Sequence, residues 1–180
     1  PEAMPLDEHE ILVDGGAYDG DTVRSFSART NGRYDHIHAF EIDPANADAF
    51  TFKTQGTPNI TLHRIGLWNE KTHMGIEHRP DDGSRISKTS TTMVPLDAMD
   101  NLDLGPASVI KLDVEGAEVQ ALQGARKLIA NHKPKLAISA YHRADDFQTL
   151  LDTVSDLRDD YRLTLRHYSP IIYDTVIYAL

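Results

Sequence analysis

A short apolar run that meets a glycine-rich bend constrains this chain more than any other stretch. Residues 11–22 read Ile-Leu-Val-Asp-Gly-Gly-Ala-Tyr-Asp-Gly-Asp-Thr. The aliphatic run is typical of a buried parallel strand, the glycines let the chain turn and let a ligand approach the backbone, and Asp21-Thr22 can start a helix. The stretch therefore predicts a strand, a tight loop and a helix, and open α/β sheets bind nucleotide-like cofactors at such a loop.

The charge and glycine spacing of this loop indicate which cofactor it takes. Three aspartates crowd it: Asp14, Asp19 and Asp21. They would repel the pyrophosphate of a dinucleotide at the helix N-terminus. The dinucleotide pattern G-x-G-x-x-G fits poorly, because Ala17 stands at its second glycine when Gly15 is the first. The pattern D-x-G-x-x-x-G fits as Asp14, Gly16 and Gly20, and it resembles motif I of methyltransferases that use S-adenosylmethionine (SAM), whose ammonium and sulfonium groups suit an acidic loop.

Length and composition limit the classes of protein that this chain can belong to. Its 180 residues fit one domain, 1–180, of which residues 1–8 are expected to be the end of a fragment. The lack of cysteine excludes disulfides and zinc–thiolate sites. A formal charge of −10 argues against a broad nucleic-acid footprint, and no apolar run approaches the ~20 residues of a membrane span. We therefore expect a cytoplasmic protein that binds neither nucleic acid nor membrane.

Alternating strand and helix signals run through the whole chain. Strands are predicted at the apolar run 11–13 and at 36–40, 60–65, 108–113, 136–141, 162–168 and 175–180. Helices are predicted at about 21–31 and 44–55, from the segment 114–118 to about 132, and at 144–157. Residues 73–93 are interpreted as a β-hairpin or extended excursion, and Pro95–Met99 as a short helix. Strands that alternate with helices form a parallel sheet, and the last two strands would pair as an antiparallel hairpin.

Two strand ends suggest contacts to a bound nucleoside. Glu41 lies about twenty residues beyond the glycine loop, where a carboxylate can accept both ribose hydroxyls; the alternative is an exposed strand-terminal acid. Asp43 is favoured as the cap of the following helix. Gly66-Leu67-Trp68 ends the third strand and could form the wall beside an adenine, although Trp68 fits an ordinary core position equally well.

The loop residues themselves have open alternatives. Asp14 can fix the loop by accepting backbone N–H groups or face the ammonium group of the cofactor through water. Tyr18 can cover the cofactor or cap the loop. Asp21 and Thr22 can contact the carboxyl end of the methionine moiety or cap the helix.

A second chemical cluster follows the strand 108–113, which should neighbour the first strand. Asp113 would then open onto the methionine end of the cofactor, where it could contact the ammonium group or the acceptor hydroxyl. Glu115 is either a general base or a charge that stabilises the N-terminus of the next helix through its dipole. Glu118, one turn further on, is interpreted as a charge that interacts with the same helix end. His142 follows the next strand on the same rim and is the residue type most suited to deprotonating a hydroxyl. No histidine has a recognised metal spacing, so no metal is predicted; a site would need Asp113 or Glu115 with His142.

Several segments together resemble the FkbM-type methyltransferases over nearly the whole chain. They are residues 13–22, 39–41, the Ser/Thr-rich run before Val94-Pro95-Leu96-Asp97, residues 111–118 (Lys-Leu-Asp-Val-Glu-Gly-Ala-Glu), 133–138, 165–168 and 174–179. The resemblance implies a class I, Rossmann-like α/β fold with a seven-stranded, mostly parallel sheet and helices on both faces. It also implies SAM-dependent methyl transfer, often to a hydroxyl of a sugar or secondary metabolite. Tyr18 departs from the family, whose members often carry a smaller polar residue there.

These observations lead to specific predictions for the site. The expected cofactor-binding residues are Asp14, Gly16, Ala17, Tyr18, Gly20, Asp21, Thr22, Glu41, Ile42, Gly66, Leu67, Trp68 and Asp113. The expected activity is O-methylation of a small-molecule or glycan hydroxyl, with His142 as the base and Asp113 or Glu115 orienting the acceptor. The Ser/Thr-rich excursion and the closing hairpin would border the acceptor pocket. An NAD-linked oxidoreductase and a SAM-binding module without catalysis are the alternatives.

Overall fold

The computed structural model describes residues 4–79, 83–87, 90–170 and 173–180. Its elements in chain order are β1 (Ile11–Gly15), α1 (Asp21–Arg29), β2 (His36–Phe40), α2 (Pro44–Lys53), β3 (Ile60–His63), β4 (Gly66–Leu67), β5 (Thr72–Arg79), β6 (Gly83–Ser87), β7 (Met93–Asp97), β8 (Val109–Leu112), α3 (Glu118–Gln123), α4 (Arg126–His132), β9 (Lys135–Ser139), α5 (Asp146–Leu157), β10 (Leu163–His167) and β11 (Thr175–Ala179).

The main sheet has seven strands in the order β3-β2-β1-β8-β9-β11-β10. The five strands from β3 to β9 are parallel, and β11 runs antiparallel to both β9 and β10. This confirms the predicted mostly parallel sheet with a C-terminal antiparallel hairpin. The strand order reverses between β1 and β8, and a crevice opens at the carboxyl ends of the strands at such a switch point.

Helices cover both faces of this sheet, as predicted. On one face, side chains of α3, α4 and α5 such as Leu122, Ile129 and Leu150 join a large buried cluster. On the other face, Val23 and Phe26 of α1 pack with residues of β1 and β2. No helix within the described part of the chain is long and apolar enough to cross a membrane, and the cytoplasmic location stays a prediction.

The excursion after β3 is a second sheet of four strands in the order β4-β7-β5-β6. The predicted short helix at Pro95–Met99 is wrong, because Met93–Asp97 is strand β7 and a 3₁₀ turn covers only Met99–Asn101. Val94 and Leu96 alternate inward and pack on Ile76, which is a strand period. Pro95 is tolerated because the β4–β7 ladder contains only Leu96 and Asp97 of β7 and ends before Pro95. Residues 88 and 89 of the Ser/Thr-rich run lie outside the described residues.

The single helix predicted over residues 114–132 is also corrected. The structure has two short helices, α3 and α4, separated by Gly124 and Ala125. A Cβ atom at Gly124 would lie 1.9 Å from the carbonyl oxygen of Trp68. The backbone of the second sheet therefore approaches the helix at this glycine, and the carbonyl of Gly124 accepts a hydrogen bond from Asp100 N–H at 2.8 Å. These tertiary contacts interrupt a segment whose periodicity is helical throughout.

Candidate active site

A cavity of about 460 Å³ lies at the switch point of the main sheet. Ten of the predicted site residues line it: Gly16, Tyr18, Asp21, Thr22, Glu41, Ile42, Gly66, Leu67, Asp113 and Glu115. Among the residues that the structure describes, five predicted ones are not part of this wall: Asp14, Ala17, Gly20, Trp68 and His142. The carboxyl ends of β1, β2 and β8 thus bring together side chains that are up to a hundred residues apart in the chain.

The glycine loop after β1 is held tightly under this cavity. The N–H groups of Gly16 and Ala17 both donate to the carbonyl oxygen of Phe40, at 3.1 and 2.9 Å. Gly16 has φ of +74°, and a Cβ there would lie 1.9 Å from the carbonyl oxygen of Asp113. Gly20 has φ of +84° and packs on Thr54 and Phe50 of the α2 segment. Glycine is therefore required at position 16 because of the Asp113 carbonyl on the cavity side of the loop. It is required at position 20 because of Thr54 and Phe50 on the side away from the cavity.

Asp14 forms a buried ion pair that the sequence analysis did not foresee. Its side chain is 0% exposed, and Oδ1 lies 3.1 Å from Nζ of Lys111, the residue paired with it across β1 and β8. Lys111 Nζ also donates to the carbonyl oxygens of Gly16 at 2.7 Å and Gly15 at 3.3 Å. Burial raises the pKa of Asp14, and Lys111 opposes that rise. Burial by itself would lower the pKa of Lys111, but the carboxylates of Asp14, Asp113 and Asp21 together outweigh it and the pKa is raised. Among the described residues Asp14 accepts no backbone N–H group, contrary to one of its two predicted roles, and its link to the loop runs through Lys111.

Lys111 lines the cavity although it was not among the predicted site residues. One signal in the sequence could have found it. It is the only charged residue in the apolar strand Val109–Leu112, and a lysine inside a buried parallel strand requires a partner.

Glu41 joins the glycine loop to the start of α2. Its side chain is buried, with Oε2 accepting the N–H of Tyr18 at 2.9 Å and Oε1 accepting the N–H of Asp43 at 2.7 Å. Burial raises the pKa of Glu41, and the backbone N–H groups of Asp43, Tyr18 and Ile42 oppose that rise. A carboxylate has about four lone-pair sites, so Glu41 can still accept a ligand hydroxyl. Tyr18, with φ of +47° and 55% exposure, presents its ring at the cavity.

The far end of the cavity is walled by both sheets. Gly66 and Leu67 line it as predicted, together with Ile42, but Trp68 packs with Ile76 and Leu96 in the small core of the second sheet. Two residues of β6, Ser84 and Ile86, complete the wall and were not predicted.

Asp43 caps α2, which was the favoured interpretation. Its Oδ1 accepts the N–H groups of Ala45 and Asn46 at 2.8 and 3.2 Å. Its Oδ2 accepts the hydroxyl of Ser84 at 2.8 Å, which ties the second sheet to the helix start.

The predicted acid–base residues meet at the other end. The His142 side chain is 8% exposed and sits behind Asp113 and Glu115, with Nε2 at 3.3 Å from Asp113 Oδ1 and 3.6 Å from Glu115 Oε2. Tyr141 donates its hydroxyl to the same Asp113 Oδ1 at 3.0 Å. The structure thus brings Asp113, Glu115 and His142 together, and their catalytic roles stay a prediction.

Glu118 belongs to this cluster and is more than a helix-end charge. It is 1% exposed, and its Oε1 lies 3.0 Å from His142 Nδ1. The same oxygen accepts the N–H groups of Val114 at 2.9 Å and Gly116 at 3.4 Å. Burial lowers the pKa of His142, but the carboxylates of Glu118, Asp113 and Glu115 outweigh burial and the net pKa is raised.

One group of described residues has the spacing of a metal site. One ligand atom each from Asp113, Glu118 and His142 lie within 4.8 Å of one another. Sequence position had suggested Glu115 rather than Glu118 for such a site. The absence of a metal stays a prediction.

Comparisons with known proteins agree with this geometry. The family model of the methyltransferase FkbM domain matches residues 14–168. A crystal structure of methyltransferase FkbM from Methylobacillus flagellatus KT superposes with a TM-score of 0.84 and 30% identity, over 99% of this chain and 45% of that one. This chain thus spans less than half the length of that relative. No curated protein matches.

More distant solved structures share the fold alone. An rRNA methylase from Streptococcus thermophilus has a TM-score of 0.61 and 17% identity, over 97% of this chain and 87% of that one. Fibrillarin from Aeropyrum pernix, solved with natively bound SAM, has a TM-score of 0.59 and 13% identity, over 98% of this chain and 70% of that one. Both comparisons support the predicted class I methyltransferase-like fold. With the family model matching most of its length, the chain belongs to the FkbM methyltransferase family.

Proposed function

We propose that this chain binds SAM and methylates a hydroxyl group of a small molecule or glycan. The observation that carries the proposal is the position of Glu41, whose buried carboxylate is held by two backbone N–H groups and lines the cavity at the end of β2. A carboxylate there can accept both hydroxyls of a ribose. Membership of the FkbM family supports the same cofactor.

The charges around the cavity favour a cationic cofactor. Asp21, Asp113 and Glu115 all line it. Carboxylates attract the ammonium and sulfonium groups of SAM and repel the pyrophosphate of NAD. Lys111 also lines the cavity, but its ammonium group is already engaged by Asp14 and two loop carbonyls. The NAD-linked oxidoreductase is therefore the less favoured alternative.

Two sets of residues along the cavity would hold the two halves of the cofactor. Glu41, Ile42, Gly66 and Leu67 would hold the adenosine, and the loop at Gly16 with Asp113 would hold the methionine moiety. SAM supplies a methyl group on a sulfonium, and the electron pair of the broken carbon–sulfur bond stays on sulfur.

The chain must then orient the acceptor oxygen and remove one proton. His142 is the proposed base, since its imidazole lies 3.3 Å from Asp113 at the cavity wall. Asp113 or Glu115 would orient the acceptor by accepting a hydrogen bond from it. As the acceptor oxygen bonds to the methyl carbon, its O–H bond breaks and the proton passes through the carboxylate of Asp113, which lines the cavity, to the imidazole behind it. The imidazolium later releases that proton to water.

Calorimetric titration with S-adenosylhomocysteine (SAH) tests the cofactor assignment. We expect micromolar binding that Glu41→Ala weakens at least about tenfold, some 1.4 kcal/mol. Asp48→Ala is the matched control, because Asp48 is an exposed carboxylate on α2 that pairs with Arg64. It should leave the affinity unchanged.

Any other result of the SAH experiments favours one of the two alternative functions. A lack of heat with SAH at several temperatures would contradict SAM binding, and a titration with NADH would then test the oxidoreductase. SAH binding without turnover of any hydroxyl acceptor would favour the non-catalytic module. Because this chain spans 45% of the Methylobacillus relative, turnover is best assayed on the longest natural chain that contains it.

A further inference from the structure

The imidazole of His142 lies between two carboxylates with different surroundings. On the inner side is Glu118, which is 1% exposed and begins α3. On the outer side is Asp113, which lines the cavity. The inner carboxylate is 3.0 Å from Nδ1, and the outer one is 3.3 Å from Nε2. The two ring nitrogens therefore have different neighbours and can have different roles.

We propose that Glu118 is a positioning residue that keeps the imidazole proton of His142 on Nδ1. Nε2 is then unprotonated on the side of Asp113, which lines the cavity, and it can accept the proton of an acceptor hydroxyl through that carboxylate. The catalytic use of this arrangement rests on the proposed function, whereas the tautomer itself is a property of the chain that needs no acceptor to be measured.

The surroundings of Glu118 keep its side chain in place. Its Oε1 accepts N–H groups from Val114 and Gly116, in the loop that joins β8 to α3. Gly116 has φ of +90°, which lets the loop fold around the carboxylate. A fixed anion next to Nδ1 favours the tautomer with its proton on that nitrogen.

The contacts are short but are not aligned as hydrogen bonds. Both ring nitrogens are buried, and neither has a partner at a hydrogen-bond angle, although Glu118 and Asp113 are within 3.3 Å of them. Hydrogen bonds between catalytic groups often align only in the complex with substrate. A small rotation of the ring would bring Nδ1–H onto Glu118.

A metal ion would need the same oxygens, and protein donors already use them. Glu118 Oε1 accepts two backbone N–H groups, and Asp113 Oδ1 accepts the hydroxyl of Tyr141. A cation bound there would compete with these donors, and the titration with metal ions given below distinguishes an oriented base from a metal centre.

The charged groups that face His142 set the expected size of the effect. They are Glu118 from α3, Asp113 and Glu115 from the loop after β8, and Asp146 from the first turn of α5. Removing one carboxylate within about 4–6 Å of an imidazole typically moves its pKa by about 1–3 units. Glu118 is the nearest of these groups to a ring nitrogen.

NMR of the chain labelled with ¹⁵N-histidine and saturated with SAH tests the proposal. The chain has 9 histidines, and the spectrum of His142→Gln assigns the signals of His142. We expect the neutral imidazole to carry its proton on Nδ1. In Glu118→Gln the amide oxygen can still accept the backbone N–H groups, so the tautomer should remain while the pKa falls by about 1 unit or more.

Asp152→Asn is the matched control, because it removes one charge from an exposed side chain of α5. It should leave the pKa of His142 within about 0.3 unit of the parent value. If Glu118→Gln does not fold by circular dichroism, Glu118→Asp replaces it. Its carboxylate is withdrawn by one methylene, and a smaller fall in the pKa of His142 is expected.

Three results would overturn the proposal. The first is a proton on Nε2 in the parent chain, and the second is a pKa of His142 that does not change in the Glu118 variant. The third is that Mg²⁺, Mn²⁺ or Zn²⁺ shifts or broadens the His142 signals and that Glu118→Gln abolishes this effect. The last result would show a metal centre. Failure of the proposed function is seen separately, as an absence of SAH binding, and it leaves the tautomer measurement valid in the free chain.

Discussion

The substitution Lys111→Met tests the buried ion pair beneath the glycine loop most directly. Methionine keeps the apolar stem of the lysine and removes the ammonium group. The change deletes three contacts of Nζ: 3.1 Å to Asp14 Oδ1, 2.7 Å to Gly16 O and 3.3 Å to Gly15 O. It leaves Asp14 fully buried, with no other hydrogen-bond partner for its oxygens among the described residues. Breaking a buried ion pair on one side typically costs about 3–5 kcal/mol of unfolding free energy.

The loss should depend on pH in a definite direction. Burial raises the pKa of Asp14, and without Lys111 that rise is unopposed. A carboxyl whose pKa is higher in the folded state than in the unfolded state disfavours folding only where it must ionise. The destabilisation by Lys111→Met should therefore be smallest below about pH 4, where Asp14 is protonated in both states. It should grow as the pH rises through the raised pKa of Asp14.

Urea unfolding followed by circular dichroism measures this loss, and SAH titration measures its consequence for the loop. Lys127→Met is the matched control, because Lys127 is exposed on α4. The double variant Asp14→Asn with Lys111→Met should regain about 1–2 kcal/mol, since it no longer buries an unpaired charge. A single variant within about 1 kcal/mol of the parent, or a double variant no more stable than the single one, would refute the reasoning.

Three further predictions concern separate features of the fold and site. Gly16→Ala should abolish detectable SAH binding in calorimetry, because its Cβ would lie 1.9 Å from the carbonyl oxygen of Asp113; unchanged affinity would contradict the close packing of the loop. Asp43→Ala should lower the unfolding free energy in urea by about 1 kcal/mol through loss of the α2 cap, and a change below a few tenths would contradict that role. Burial and the neighbouring histidines lower the pKa of His38 to about 4, so stability in urea should fall as the pH drops from about 6.5 towards 4, and His38→Gln should flatten this fall.

Local patterns predicted much of the fold because their causes are local. The aliphatic run, glycines and helix start in residues 11–22 give β1, the loop and α1 as expected. Asp43 and Pro44 start α2 as a cap and a first helical residue. Glu41 could be placed at the cavity because the end of β2 and the spacing from the loop are both readable along the chain.

Local patterns failed where distant backbone intervenes. Gly124 interrupts the helical segment because the carbonyl of Trp68 lies against it, and Trp68 turns to the second sheet instead of the cavity. Ser84 and Ile86 reach the cavity because β6 folds back over the switch point. None of these contacts has a period or spacing that a reading along the chain can detect.

The order of strands and helices, the acidic glycine loop and the family of the protein can be read along the chain, since these features depend on residue types at short spacing. The pairing of the functional side chains depends instead on how the strands are arranged in space. Asp14 meets Lys111 because β1 and β8 are neighbours in parallel register, and His142 meets Glu118 because β9 lies beside β8. Strand order brings these charges together across a large sequence separation, and burial then makes each charge depend on its partner.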